Sequence, residues 1–327
     1  MPKLVHAIAA TLMIAAAPAA VHAQARSISA GDKATGAQAH PQLLQQFGGA
    51  YRGPQAATVE RVGKRVALQS GLSNASSDFT VTLLNSPVEN AFAVPGGYVY
   101  VTRQLLALMN SEAELASVLG HEVGHVAARH ANKRNTRATV GNVAAAILGS
   151  VTGSDLVGRA VGTGAQLYTL RFSRTQEYEA DQLGVNYITR AGYTPYAAAD
   201  MLAELNDSTQ LQAAITGKSA GGPTWMSSHP NGIDRVQRAA KLAANTGRPD
   251  TTGTQDVGFF RMLDGLPYDD GSRVVRIHTV RAGETAATLA RRMAYGDRQL
   301  DRFSVLNGID PNAPLRPGTL VKLIVAR

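Results

Sequence analysis

The chain has 327 residues, 44% hydrophobic and 17% charged, with 32 glycines, 14 prolines and no cysteine. That balance is globular and the length suits one large domain plus a small one; the missing cysteine excludes disulfide scaffolds, thiol nucleophiles and thiolate metal sites, so any metal must be held by histidine and carboxylate. Lys and Arg outnumber Asp and Glu by 32 to 24, a formal charge of +8, which favours anionic surroundings, but no nucleic-acid recognition motif accompanies it.

Lys3, an apolar run from Leu4 to Ala17 and then Pro18 and Val21-His22-Ala23 read as a signal peptide over residues 1–23. The run is short for a bilayer of about 30 Å, and no later stretch reaches that length, so the mature chain is expected to have no transmembrane segment. Export of a cysteine-free chain predicts the periplasm. Residues 24–47, rich in Ala, Gln, Gly and Ser without a sustained period, read as a linker. A helix is predicted through Val59, Val62, Val66 and Leu68, ending at Gly71, and alternation over Phe79–Leu83 predicts a strand. Tyr98–Thr102, introduced by the turn residues Pro95-Gly96-Gly97, is a second strand and a candidate edge for pairing with an extended substrate. From Arg103 to about Asn245 the pattern is mostly helical. Within it, glycines from Gly141 to Gly164 punctuate an Ala- and Val-rich stretch that fits either a helical hairpin or mobile lid, or a plain core helix. Pro, Gly and Asp cluster from Gly247 to Asp256, setting a linker over residues 247–273 and a small module over residues 274–327.

The chemistry-bearing run is His121-Glu122-Val123-Gly124-His125. Upstream, Ser111 and Glu114 have capping-box spacing, and Leu115, Leu119 and Val123 continue an apolar helical face. Residues four apart lie one above the other on a helix, so His121 and His125 can share one metal ion, with Glu122 adjacent as general base. A catalytic zinc needs a third protein ligand and an open position. His130, five residues past His125, falls on another side of a continuous helix and reads as a polar helix-end residue. A better source is the helix predicted from Ser173-Arg174-Thr175-Gln176 to Arg190, where Glu177 and Asp181 share a face and Glu179 points away. Glu177 is assigned as the third ligand and Asp181 as the carboxylate orienting a ligating histidine.

Asn90–Tyr98, Glu114-Leu115-Ala116, His121–His125 and Glu177–Asp181 occur in that order, and together they resemble the HtpX and CAAX-prenyl-protease family of zinc metallopeptidases, in its soluble periplasmic BepA-like branch, over about residues 48–246. The resemblance implies a zincin-type domain, one Zn2+ per chain, and the glutamate of the Glu-x-x-Ala-Asp motif, here Glu177, as third ligand. It also implies roles for Ser228-His229-Pro230 and Arg235: the histidine fills the zinc's open position and keeps the enzyme latent, and the arginine lies near the active site. On the residues alone, His229 simply precedes a helix opened by Pro230.

Val274–Val280, helical stretches ending at Ala294 and Asn307, and Thr319–Val325 form a strand-helix-helix-strand unit that resembles a LysM domain. That implies binding of N-acetylglucosamine-containing glycans such as peptidoglycan; Arg281, Arg291, Arg292, Arg298 and Arg302 suit an anionic wall or a solvated face.

The expected fold is α+β, mainly α: a zincin-type metallopeptidase domain (residues 48–246) with a small β-sheet edge, plus a small βααβ LysM-like domain. The expected function is a zinc-dependent metalloendopeptidase of the bacterial cell envelope, acting on unfolded or misassembled envelope proteins. The competing readings are a peptidoglycan-associated chaperone or assembly factor with a latent zinc site, and an endopeptidase on peptidoglycan cross-links.

Overall fold

A computed structural model describes residues 27–72, 74–131, 172–217, 225–229 and 232–327. The signal-peptide assignment and the glycine-punctuated hairpin or lid fall outside these residues. The expected linker over residues 24–47 is replaced for most of its length by a helix, α1 (Ala30–Gln46), capped by the Ser29 hydroxyl. Its pattern is hard to read because few of its residues are buried, among them Ala39 and Leu43 four apart, with Phe47 a further turn on, and because Pro41 lies inside it. Those three side chains cover one face of a sheet at Leu84, Phe92, Val94 and Tyr100.

Helix α2 (Gln55–Ala67) carries Val59, Val62 and Val66 on one buried face and ends through a 3-10 turn at Gly71, φ +73°. The short α3 (Ala75–Asp78) leads into β1 (Thr80–Leu84), β2 (Ala91–Val94) and β3 (Tyr98–Thr102). The strand order is β1-β3-β2, with β3 parallel to β1 and antiparallel to β2. Tyr98–Thr102 is therefore the central strand, and the edge beside the active helix is β2. Alternation in sequence reveals a strand but not its neighbours; here the tight turn at Gly96 and Gly97, both at positive φ, folds β3 back between the other two. Helix α4 (Arg103–Leu108) precedes α5 (Glu112–Ala127), which packs against α2 and beside β2. Ser111 caps α5 by accepting from Glu114 N–H, but the return arm differs from the expected box, since Glu114 Oε2 accepts from the Asn110 N–H.

Helix α6 (Arg174–Arg190) starts with a complete capping box between Ser173 and Gln176 and lies along α5. The backbones approach closely: a Cβ on Gly124 would meet Ala180 O at 3.0 Å, and one on Gly184 would meet His121 N at 3.0 Å. Helices α7 (Ala197–Thr216), α8 (Trp225–Ser228) and α9 (Gly232–Asn245) close over this pair.

The expected linker over residues 247–273 is also partly ordered secondary structure, with α10 (Val257–Leu263) and β4 (Pro267–Tyr268). Strand β4 pairs with β5 (Arg273–Thr279), which pairs antiparallel with β6 (Leu320–Ala326); α11 (Ala286–Ala290) and α12 (Gln299–Asn307) lie between them in sequence. The strand-helix-helix-strand order is as expected, but the unit is not separate from the rest. Val275, Leu289, Phe303 and Ile324 belong to the same hydrophobic core as Val66, Leu119 and Ile188. Among the described residues, no helix is long and apolar enough to cross a membrane.

Candidate metal centre

The close approach of α5 and α6 decides the site. On α5, residues four apart stack His121 over His125, and on α6 the same spacing aims Glu177 and Asp181 at them. His121 Nε2 and His125 Nε2 are 3.0 Å apart; Glu177 Oε2 is 3.5 Å from the first and Glu177 Oε1 3.7 Å from the second. Ligand atoms about 2.1 Å from one tetrahedral zinc lie roughly 3.4 Å from each other. The three side chains, all buried, thus converge as a zinc ion requires, and two imidazoles with a carboxylate are a donor set suited to zinc.

His229 joins them. Its Nδ1 is 3.2 Å from His121 Nε2 and 3.0 Å from Glu177 Oε1, so the four residues offer ligand atoms within 4.8 Å of one another. Its ring stacks on Trp225, with centroids 4.5 Å apart, and its Nε2 faces Glu122 Oε1 at 3.5 Å. Glu122 is buried, and its Oε1 accepts a hydrogen bond from Trp225 Nε1–H at 3.0 Å.

Asp181 Oδ1 meets His121 Nδ1 at 2.9 Å, on the ring side away from the other ligands. Arg235 is wholly buried; its guanidinium donates to both Asp181 oxygens, at 2.8 and 2.6 Å, and to the His229 carbonyl at 3.0 Å, and lies 2.9 Å from Glu177 Oε2. One arginine thereby ties α6 to the residue-229 loop. Burial would raise the Asp181 carboxyl, but Arg235 outweighs it and holds it down to about 2. Glu177 is likewise held well below the usual carboxylate range, burial being outweighed by the imidazoles of His229 and His121. Burial opposes the His121 imidazolium, yet hydrogen bonds to Asp181 and Glu177 raise its pKa to about 9. Burial, reinforced by neighbouring His121 and His229, pushes His125 the other way, towards the neutral ring.

Sequence reasoning missed two residues here. Trp225, the chain's one tryptophan, is signalled only by lying one helical turn before His229. A continuous helix would carry His130 on another side from His125, but α5 stops at Ala127 and Arg129 takes φ +55°. That reversal folds His130 back under His125, where it is fully buried with Nδ1 2.9 Å from His125 Nδ1. Its Nε2 is 3.1 Å from Glu179 Oε2, the α6 carboxylate that faces away from the ligands.

A His-Glu-x-x-His helix and a glutamate from the next helix, all converging on one tetrahedral site, define a zinc metallopeptidase centre. Residues 54–243 match the model of peptidase family M48. The chain belongs to that family, with its zinc site at His121, His125 and Glu177 intact. It is similar to the mitochondrial metalloendopeptidase OMA1 of Arabidopsis thaliana, 35% identical over 49% of this chain and 31% of that one. It is also similar to the beta-barrel assembly-enhancing proteases of Yersinia pestis, 30% identical over 62% of this chain and 42% of the relative, and of Escherichia coli K12, 29% over 56% and 38%. The chain spans less than half the length of each of these three relatives.

Proposed function

We propose that the chain is a zinc-dependent endopeptidase of the bacterial cell envelope, acting on unfolded or misassembled envelope proteins. The observation that carries this reading is the convergence of His121, His125 and Glu177 with Glu122 beside them. Zinc bound there supplies a Lewis acid for the scissile carbonyl and makes water nucleophilic near neutral pH. Glu122 takes the proton from the attacking water and passes it to the leaving amine; the Trp225 N–H orients its carboxylate for that exchange. An extended substrate pairs along β2, the edge strand next to the active helix. Asp181 and Arg235 hold His121 and Glu177 in place. The substrate class and periplasmic setting rest on the signal-like N-terminus and on the similarity to beta-barrel assembly-enhancing proteases. A contact with peptidoglycan through the C-terminal unit rests only on the resemblance of its sequence to a LysM domain.

One observation favours a second reading, an envelope assembly factor or chaperone with a latent site. His229 Nδ1 stands where a fourth ligand or substrate would stand, and a site closed by four protein ligands is the structural kind. The test is cleavage of an unfolded generic protein by wild type and Glu122→Gln at matched zinc content. Turnover should fall by roughly 10²–10⁴-fold in the variant. Equal turnover overturns the assignment of Glu122.

A further inference from the structure

His121 and His125 are each contacted on Nδ1, the nitrogen that faces away from the other ligand atoms, but by different chemistry. His121 Nδ1 meets the carboxylate of Asp181, the ordinary carboxylate–histidine arrangement of zinc sites. His125 Nδ1 meets another imidazole nitrogen, His130 Nδ1, at 2.9 Å.

Two imidazole nitrogens at that distance form a hydrogen bond only when one carries the proton and the other does not. His125 Nε2 is the atom that faces His121 Nε2 and Glu177, so its lone pair must be free and the ring's proton must sit on Nδ1. His125 Nδ1–H is then the donor and His130 Nδ1 the acceptor. That places the His130 proton on Nε2, which lies 3.1 Å from Glu179 Oε2 and donates to it. The polarity of the whole chain, His125 to His130 to Glu179, follows from the single requirement that His125 offer Nε2 to the metal.

We propose that His130 is a positioning residue for His125, holding it in the metal-competent tautomer through Nδ1, and that Glu179 fixes the tautomer of His130 in turn. The proposal rests on the zinc-peptidase reading above. The fold commits two devices to this contact. The left-handed turn at Arg129 returns His130 to a fully buried position, and Gln176 Nε2 donates to the His130 carbonyl at 3.3 Å, tying it to the first turn of the helix that carries Glu177. Glu179, by contrast, has a side chain 47% exposed, so it can be altered without opening the core.

The test is zinc affinity, measured by competition with a chelator on the full chain, with the melting temperature of the metal-free protein recorded alongside. His130→Phe keeps an aromatic ring, a somewhat larger one, but removes the acceptor, and should lower affinity by roughly 10–100-fold, the usual cost of losing such a partner. His130→Asn places an amide oxygen near the Nδ1 position and should restore affinity to within a few-fold of wild type. Glu179→Ala should fold normally and lose affinity several-fold, which keeps the proposal testable if His130→Phe does not fold. Unchanged affinity in His130→Phe, equal losses in the Phe and Asn variants, or unchanged affinity in Glu179→Ala would each overturn it. A wild-type chain that binds no zinc would instead overturn the metallopeptidase reading itself.

Discussion

In the metal-free chain, hydrogen bonds to Asp181 and Glu177 outweigh burial and hold His121 at a pKa of about 9, whereas zinc needs the neutral ring. A folded pKa above the usual 6.5 stabilises the metal-free fold fully below pH about 6.5, and that contribution is lost as pH rises through about 9. Zinc binding has the opposite sign, because it must expel the same proton. Apparent zinc affinity should rise by about tenfold per pH unit from neutral pH and level off near pH 9. Chelator competition from pH 6.5 to 9.5 reads this directly, and a flat profile refutes it. His229 makes the second residue-scale case. Its Nδ1 lies 3.2 Å from His121 Nε2 and 3.0 Å from Glu177 Oε1, and its Nε2 faces the Glu122 carboxylate at 3.5 Å, which is the contact set that the latent reading proposed above requires. His229→Ala should raise peptidase turnover several-fold on an unfolded substrate; unchanged or lower turnover contradicts latency. Little of this is read from His229 alone, since its partners are Trp225, Glu177 and the carbonyl-gripping Arg235 from three different elements.

Helices α5 and α6 bring the ligands together only because small residues let their backbones touch. A methyl on Gly184 would stand 3.0 Å from His121 N and 3.2 Å from Gly120 C, and main chain cannot rotate aside as a side chain tip does. Gly→Ala in a helix gains about 0.5–1 kcal/mol from backbone entropy, whereas overpacking a filled interface costs about 1–3 kcal/mol. The clash should win, so Gly184→Ala should be less stable by about 1 kcal/mol and should bind zinc more weakly as Glu177 is pushed from the histidine pair. Denaturant unfolding and chelator competition check both, and a more stable variant with unaltered affinity refutes the argument. The element scale is also where legibility in the sequence divides. The Ser111 and Ser173 caps, the His121/His125 pair and the Glu177/Asp181 pair were readable because each is set by 3.6-residue periodicity within one helix. His130 was not, because one left-handed residue, Arg129, ends that periodicity. The edge strand was not, because pairing order is decided by the turn at Gly96-Gly97 and by what packs on the sheet. Helix α1 was not, because a stripe as sparse as Ala39, Leu43 and Phe47 resembles a linker by composition.

At the scale of the whole molecule, the C-terminal unit looks detachable in sequence but is built into the peptidase. Lys322 on β6 is completely buried, and its ammonium donates to the carbonyls of Ala107, Leu108 and Met109 at 2.9, 2.7 and 2.8 Å. Those oxygens close the end of α4, where carbonyls lack partners within the helix, immediately before the helix that carries His121 and His125. The contact is reinforced nearby: Gln255 pairs with both the N–H and the carbonyl of Leu320, and Arg103 donates to the carbonyls of Pro267 and Asp269. The charge is not buried alone, since Glu114 and Glu204 lie close enough to favour the ammonium against burial, which pushes Lys322 down to about 7. Lys322→Met keeps the aliphatic stem but takes the donor from the carbonyls of Ala107 and Met109 and leaves Leu108 O with Asn110 Nδ2 alone, at about 1–3 kcal/mol for each group left unpaired that water does not reach. A loss of about 3 kcal/mol lowers Tm by roughly 5 °C or more in a protein of this size. Because one hydrophobic core runs through both parts, the loss should be shared. Calorimetry should show a single transition in wild type that moves down as a whole in Lys322→Met, and near-ultraviolet signals from Trp225 should melt with it. A wild-type scan with two separate transitions, or a variant in which only a minor C-terminal transition moves, would show instead that the unit folds and acts on its own.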